Sequence, residues 1–303
     1  PIAGALGVDA TFEMEGRLPE RPLSPLWEEM ERMGCNLSRP ARNTIRCQGK
    51  LRPGTYTING GVSSQFITGL LFAAALIPGN TRIEITGKLE SKPYICLTQQ
   101  VLRNFGVKTD NYSVVGSVPF SSPGSLTVEG DWSNAAFYLA AQHIGNTLEI
   151  EGLDDNSTQG DRACAQILQQ LHTGNIVIDC KDIPDLVPIL SVAAAANYGA
   201  VFQNIARLRL KESDRVATVA AALSSLGANS TITENTLTIQ PANYTGCTID
   251  AAGAHRIAMC AAVAATIASG PVTILGSECV AKSYPAFWQV YQQLGGNYEQ
   301  YLR

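Results

Sequence analysis

The sequence offers no CxxC pair: its eight cysteines stand singly at 35, 47, 96, 164, 180, 247, 260 and 279. That excludes a zinc ribbon and a dithiol redox motif. The cysteines read instead as small buried hydrophobes of a reducing, cytoplasmic compartment. Histidine is scarce as well, and the three at 143, 172 and 255 make no metal-ligand spacing. No apolar run reaches the roughly 18–20 residues, free of strongly polar groups, that a membrane span needs. "LVPILSVAAAANYGAVF" comes nearest, yet Pro188, Asn197 and Gly199 suit a buried helix better. Charge is sparse, at 16% of residues with a net −4 and a pI near 5.5, which leaves no bulk attraction to nucleic acid or to an anionic membrane. An initiator Met and a signal peptide are also missing. The chain opens on Pro1 in "PIAGALGV", already inside a helix-like apolar run, and reads as a piece whose beginning is missing.

What is present is apolar and repetitive. At 303 residues with 45% hydrophobic side chains, the chain can build a large core, with two domains as the expectation. One unit recurs: an Ala/Leu-rich helical run, a Gly-containing turn, then an alternating strand. "SSQFITGLLFAAALIPGNTRIEITGKL", "SNAAFYLAAQHIGNTLEIEGL" and "HRIAMCAAVAATIASGPVTILGSECV" show it; "DLVPILSVAAAANYGAVFQNIARL" does so more loosely, and "PIAGALGVDATFEMEGRL" gives the tail of another. A second, amphipathic helix follows each unit and closes on a glycine, at Gly34, Gly106, Gly174, Gly227 and Gly295. Glycine suits that place because it enters the left-handed region without a Cβ clash. Alternations such as "STITENTLTIQP" predict hairpins after several caps. The unit therefore reads helix, strand, helix, strand pair, with a period outside the common solenoid range. Helices made almost wholly of Ala, Leu, Val and Ile must be buried on most sides. The expectation is two globules, each with buried helices inside and sheets outside, meeting near Asp131.

Four constellations carry chemistry. "NGGVSSQF" puts Ser63, Ser64 and Gln65 at the start of an apolar helix, and "SKPYI" puts Ser91, Lys92 and Tyr94 at a Pro-marked helix start. Both suit helix capping, and both suit an anion held by free amides and hydroxyls. "IPDLVP" sets Asp185 ahead of a buried helix, as a cap or as a partly desolvated general base. The fourth is cationic. Arg207, Arg209, Lys211 and Arg215 crowd into "ARLRLKESDR", joined by Arg256 in "GAHRIAMC", Lys282 in "CVAKSYP" and Arg21 in "LPERPL". Such groups are ordinarily solvated surface charges. Here they stand at helix starts, where the helix dipole does not favour cations. They require a compensating anion, which we expect a ligand carrying two phosphates and a carboxylate to supply.

Taken in order, "GGVSSQF", "SKPYI", "NSTQGD", "LKESDR", "HRIAMC" and "AKSYP" resemble the 5-enolpyruvylshikimate-3-phosphate (EPSP) synthase family along the whole chain. The resemblance implies an α/β fold, the two-globule inside-out α/β barrel of the enolpyruvyl transferases, made of repeated helix-strand-helix-strand-strand units, here with its first part missing. Residues 1–130 would be the remainder of the first-substrate globule, and 131–303 the second globule. The implied reaction transfers the enolpyruvyl group of phosphoenolpyruvate to the 5-hydroxyl of shikimate 3-phosphate. By the same resemblance, shikimate 3-phosphate is held by Ser63, Ser64, Gln65, Ser91, Tyr94, Asp185 and Lys211. Phosphoenolpyruvate is held by Arg21, Gln65, Arg215, Arg256 and Lys282. Asp185 takes the hydroxyl proton, while Glu212 and Lys282 handle the proton at C3. The family implies no metal or organic cofactor, no nucleic-acid or membrane partner, and a cytoplasmic monomer. This sequence departs from the pattern at Ala254, where the family has Asp before His-Arg, and at Arg207, where some members have Asn. The family's early Lys-Ser-x-x-x-Arg segment and Asn-Ala-Gly-Thr loop are absent, so some 100 N-terminal residues are expected to be missing and the chain alone to be inactive. Two alternatives stay open: a UDP-N-acetylglucosamine enolpyruvyl transferase, whose reactive Cys would fall at Gly16, and a non-catalytic fragment that keeps the fold.

Overall fold

The computed structural model describes residues 1–211 and 213–301, and the chain forms two compact units. The first comprises Pro1–Val128 with Thr158–Gly160; the second comprises Glu129–Ser157 and the residues from Asp161 onward.

The first unit runs α1 (Ile2–Leu6), β1 (Ala10–Glu13), α2 (Leu26–Arg32), β2 (Cys35–Ala41), β3 (Thr44–Gly49), β4 (Gly54–Asn59), α3 (Ser64–Leu76), β5 (Gly79–Thr86), α4 (Lys92–Asn104), β6 (Thr109–Asp110) and β7 (Ser113–Gly116). One sheet is antiparallel in the order β1-β3-β2; the other has the order β4-β5-β7-β6, with β4 and β5 parallel. Alternation along β4 sends Tyr56 and Ile58 inward, and Ile83 of β5 joins them under α3. Helix α3 is apolar on nearly every side, and Ile67, Leu70, Leu71 and Ala73–Ala75 are buried. Helix α4 buries only Ile95, Thr98 and Leu102, one stripe at helical spacing. At the end of β7 a Cβ on Gly116 would run into the carbonyl oxygens of Ala74 and Ile77, so the strand closes onto α3 only with glycine there.

The second unit runs α5 (Trp132–His143), α6 (Ala163–Leu171), β8 (Ile176–Asp179), α7 (Val187–Ala195), β9 (Ala200–Gln203), α8 (Arg215–Ser225), β10 (Ser230–Ile232), β11 (Thr236–Ile239), β12 (Cys247–Asp250), α9 (His255–Ala265), β13 (Val272–Leu275) and α10 (Phe287–Gln293). Its sheets have the orders β10-β11-β9-β8 and β12-β13. All nine residues of α7 are buried, as a helix without a polar face must be. Helices α5, α7 and α9 pack on one another. Inward side chains of the outer sheet, Ile178, Phe202, Leu237 and Ile239, belong to the same core.

The repeat expected from the sequence takes a definite form. A strand, a buried helix and a second strand parallel to the first recur as β4-α3-β5, β8-α7-β9 and β12-α9-β13. An amphipathic helix follows, and the five predicted cap glycines all have positive φ. The hairpin predicted in "STITENTLTIQP" is β10-β11. One expected strand is missing: in "NTLEIEGL" no ladder forms among the described residues. Its end lies against the residues before α5, where a Cβ on Gly130 would sit 2.5 Å from the Gly152 carbonyl oxygen. An alternating sequence becomes a strand only when a neighbour supplies the other half of its hydrogen bonds.

Histidine gives this core a pH dependence. His143, in the last turn of α5, lies 3.8 Å from the His172 ring, centroid to centroid, and its Nε2 is 2.9 Å from Asn197 Nδ2. An amide nitrogen only donates, so Nε2 accepts and carries no proton. Burial, aided by His172, pushes the His143 pKa down to about 4. A folded-state value below the unfolded one means that the stabilisation is complete above about pH 6.5 and fades as pH falls toward 4. His143→Gln should therefore show a smaller drop in melting temperature between pH 7.5 and 5 than the parent chain; an equal drop would remove His143 as the source.

Candidate active site

In the first unit two helix starts stand at the same end of the parallel pair β4/β5. The loop from β4 to α3 is drawn tight: Gly60 N–H donates to Thr86 O at 2.9 Å, and Gly60 O accepts from Glu90 N–H at 3.2 Å. A Cβ on Gly60 would meet Leu89 Cα at 2.9 Å, so glycine lets the two loops touch. Ser63 is the N-cap of α3 and accepts from Gln65 N–H at 3.3 Å; Ser64 behind it is buried, and the Gln65 side chain is exposed. The capping role read from the sequence is thus real for Ser63. Ser91 differs. It occupies the N-cap position of α4 in left-handed backbone (φ 56°), is buried, and makes no side-chain cap bond to the helix. Lys92 and Tyr94 follow in the first turn. Thr98 Oγ1 joins Thr68 Oγ1 at 3.1 Å, tying the two helices together one turn further in. Two neighbouring helix N-termini with serine hydroxyls form a place where an anion is favoured. Arg21, half-buried, follows the short 3-10 turn Leu18–Glu20 of the same unit.

In the second unit the equivalent junctions are charged. Asp185 stands one residue before the N-cap position of α7, which is Leu186. Its carboxylate is bridged: Oδ1 accepts from Arg215 Nη1 at 2.6 Å, and Oδ2 accepts from Arg256 Nη2 at 2.8 Å. Arg215 opens α8, is 5% exposed, and also donates to Pro184 O at 3.0 Å. Arg256, in the first turn of α9, sits 2.8 Å from His255 Nε2, which must accept because a guanidinium only donates. Burial alone would raise the Asp185 pKa. Arg256, Arg215 and Lys211 outweigh burial and hold the carboxyl well below the usual carboxylate range.

The remaining cations take separate positions. Lys211 ends the 3-10 turn Ala206–Leu210 and adds its charge to the field on Asp185. Lys282 is exposed, and its Nζ donates to Gly253 O at 3.0 Å, in the loop that leads into α9. Arg209 pairs with Asp214 at 3.6 Å, and Asp214 caps α8 by accepting from Ala217 N–H at 3.1 Å. Arg207 lies in the same 3-10 turn as Arg209, half-buried. Glu212 lies outside the described residues.

These pairings correct one step of the sequence reasoning. The anion that the misplaced cations require is partly internal: Asp185 serves Arg215 and Arg256, and Asp214 serves Arg209. Lys282 is the cation of the set whose described partner is a carbonyl rather than a carboxylate. The structure brings Asp185, Lys211, Arg215 and Arg256 together, and it sets Ser63, Ser64 and Gln65 beside Ser91 and Tyr94 within the first unit.

Sequence reasoning gave no role to Asp161, although it closes the quoted motif "NSTQGD". Asp161 is 3% exposed, accepts a hydrogen bond from Ser133 Oγ, and its proton affinity reflects the Asp185 charge. A polar turn before a helix hides such a residue, because Asp is common in turns. No three of His, Cys, Asp or Glu among the described residues are grouped to hold a metal ion.

Comparison with known proteins agrees on one family. The model of the family described as EPSP synthase (3-phosphoshikimate 1-carboxyvinyltransferase) matches residues 1–291. A 3-phosphoshikimate 1-carboxyvinyltransferase of Clostridium kluyveri is 36% identical over 99% of this chain and 76% of its own length. That of Clostridium acetobutylicum is 36% identical over 95% of this chain and 73% of its own. Among solved structures, EPSP synthase from Acinetobacter baumannii superposes with a TM-score of 0.78 at 24% identity, over 98% of this chain and 76% of that one. The enolpyruvyl transferase NikO from Streptomyces tendae gives 0.71 at 16% identity, over 95% and 73%. At these identities the two structures establish the fold: a mixed α/β enolpyruvyl transferase architecture of repeated units.

Proposed function

The chain belongs to the EPSP synthase family, and from that premise we propose that its activity is transfer of the enolpyruvyl group of phosphoenolpyruvate to the 5-hydroxyl of shikimate 3-phosphate, with release of phosphate. Supporting this reading is the cluster in which Asp185 lies between Arg215 and Arg256 at the starts of two helices. The reaction needs a group that takes a proton from the 5-hydroxyl as its oxygen bonds to C2 of phosphoenolpyruvate. C3 gains a proton in the addition and loses one when phosphate leaves.

Asp185 is a weak base while both guanidinium groups hold it. A carboxylate and a phosphate compete for those groups, since arginine pairs with either bidentately. Once Arg215 and Arg256 turn to the incoming anion, the proton affinity of Asp185 rises, so binding itself prepares the base. The serine-rich helix starts, with Ser63, Ser64, Gln65, Ser91 and Tyr94, would take shikimate 3-phosphate together with Lys211. Arg21, Gln65 and Lys282 would complete the set around phosphoenolpyruvate, with Lys282 and Glu212 handling the C3 proton. Residues 1–130 and 131–303 would be the two functional lobes of a cytoplasmic monomer. No helix among the described residues is long and apolar enough to cross a membrane, and all eight cysteines are free thiols.

Calorimetric titration tests the assignment. The 303-residue chain should bind shikimate 3-phosphate, and phosphoenolpyruvate more tightly in its presence. Lys211→Ala should weaken shikimate 3-phosphate by roughly 10- to 100-fold, the worth of one charged hydrogen bond. Affinity for a UDP-sugar instead would overturn the reading; equal affinity in Lys211→Ala would return that lysine to the surface.

A further inference from the structure

Asp161 sits in the 3-10 turn Gly160–Arg162, one residue before the N-cap of α6. One of its oxygens accepts from the Ser133 hydroxyl of α5. The other is buried with no hydrogen-bond partner, and among the described residues no other carboxyl is left in that condition. An ionised carboxylate at 3% exposure with one oxygen unsatisfied is costly, and a proton on that oxygen removes most of the cost.

Each packed element contributes a charge or a dipole. Asp185 precedes α7, Asp131 caps α5, and Arg256 lies in the first turn of α9. Burial first, then Asp185 and Asp131, push the Asp161 pKa up, against the Ser133 bond and Arg256; the result is about 6. The Asp161 carboxyl therefore stands at the edge of titration in neutral solution, within the field of the Asp185 carboxylate and of Arg256.

We propose that Asp161, buried with one oxygen unpartnered, takes up a proton when an anionic ligand draws on Arg256. This rests on the function proposed above. An added negative charge near Arg256 withdraws the one cation that favours ionised Asp161 and adds a repulsion of its own. Its proton affinity must then rise. By linkage, an anion binds more tightly when that proton is available, so affinity falls as pH climbs above neutrality.

Two measurements decide the matter. Carboxyl carbon NMR of the aspartate-labelled chain without ligand, with the Asp161 resonance identified by its loss in Asp161→Asn, should show a midpoint near 6. That midpoint should move upward in Arg256→Gln. An ordinary carboxylate midpoint, or one indifferent to Arg256→Gln, overturns the proposal whether or not any ligand binds. Calorimetry of phosphoenolpyruvate binding at pH 7, in buffers of different ionisation enthalpy, then counts protons. The parent chain should take up more protons per ligand than Asp161→Asn, and equal uptake overturns the proposal. Failure of phosphoenolpyruvate to bind at all would instead defeat the function proposed above, with the carboxyl titration still deciding this point. If Asp161→Asn does not fold, Ser133→Ala replaces it: losing the Ser133 bond should raise the midpoint further, and an unchanged midpoint counts against the pair.

Discussion

Asp185→Ala is expected to lower the stability of the second unit by roughly 3–5 kcal/mol, the range found when one partner of a buried ion pair is removed. The reason is what it leaves behind. Arg215, 5% exposed, would keep only the Pro184 carbonyl among the two acceptors described for it, and Arg256 would lose its carboxylate oxygen. Two guanidinium groups then lose the carboxylate that bridges them. Asp185→Asn should cost less, because an amide oxygen still accepts one of the two bonds. The pH dependence has a fixed sign. The folded-state pKa of Asp185 is depressed, so its stabilisation is present above the unfolded value near 4 and is lost as pH falls below it. Urea unfolding of the parent chain at pH 7 and pH 3.5 should show that acid loss, and Asp185→Asn should show less of it. A cost below about 1 kcal/mol for Asp185→Ala would mean that the bridge is no stronger than an exposed pair. It follows that loss of turnover in Asp185→Ala cannot alone identify the base; the Asn variant, measured where it is fully folded, is the informative one.

The parts of this molecule that could be read along the chain are those whose cause is local. Helices α3, α7 and α9 follow from runs of small and branched apolar residues, and the cap glycines from a backbone demand at a single position. The hairpin β10-β11 follows from alternation across a polar turn. The segment after α5 alternates just as well, but nothing in its own residues says whether a neighbour is available. The site divides along the same line. Ser63 at a helix start is a local fact and the structure keeps it. The partners of Asp185 lie 30 and 71 residues away, and Ser133 is 28 residues from Asp161, so no spacing rule could pair them. The sequence did show that cations stood where a helix dipole disfavours them. It could not show that the answering charge was an aspartate of the same unit, because that depends on which helix starts the fold gathers at one end.

Arg215→Met is expected to cost about 3 kcal/mol, and its cost should fall when Asp185→Asn is already present. Alone, the substitution leaves a carboxylate that was bridged on both sides with Arg256 and the charge of Lys211, and it strips the Pro184 carbonyl of a donor. The Asp185 pKa must rise toward the ordinary range, so the acid-induced loss of stability should begin at higher pH than in the parent chain. With Asp185 already neutral, Arg215 no longer holds that carboxylate, and methionine fills much the same volume without a charge to desolvate. The two effects should therefore fall short of adding by about 1–3 kcal/mol, as groups in direct contact do. Arg256→Met should couple to Asp185→Asn less strongly, because Arg256 is 17% exposed at its side chain against 7% for Arg215, and water can take over part of what the carboxylate does. If the Arg215 and Asp185 substitutions prove additive, the carboxylate is not what holds Arg215 in the core. The internal anion would then have to be sought elsewhere in the second unit.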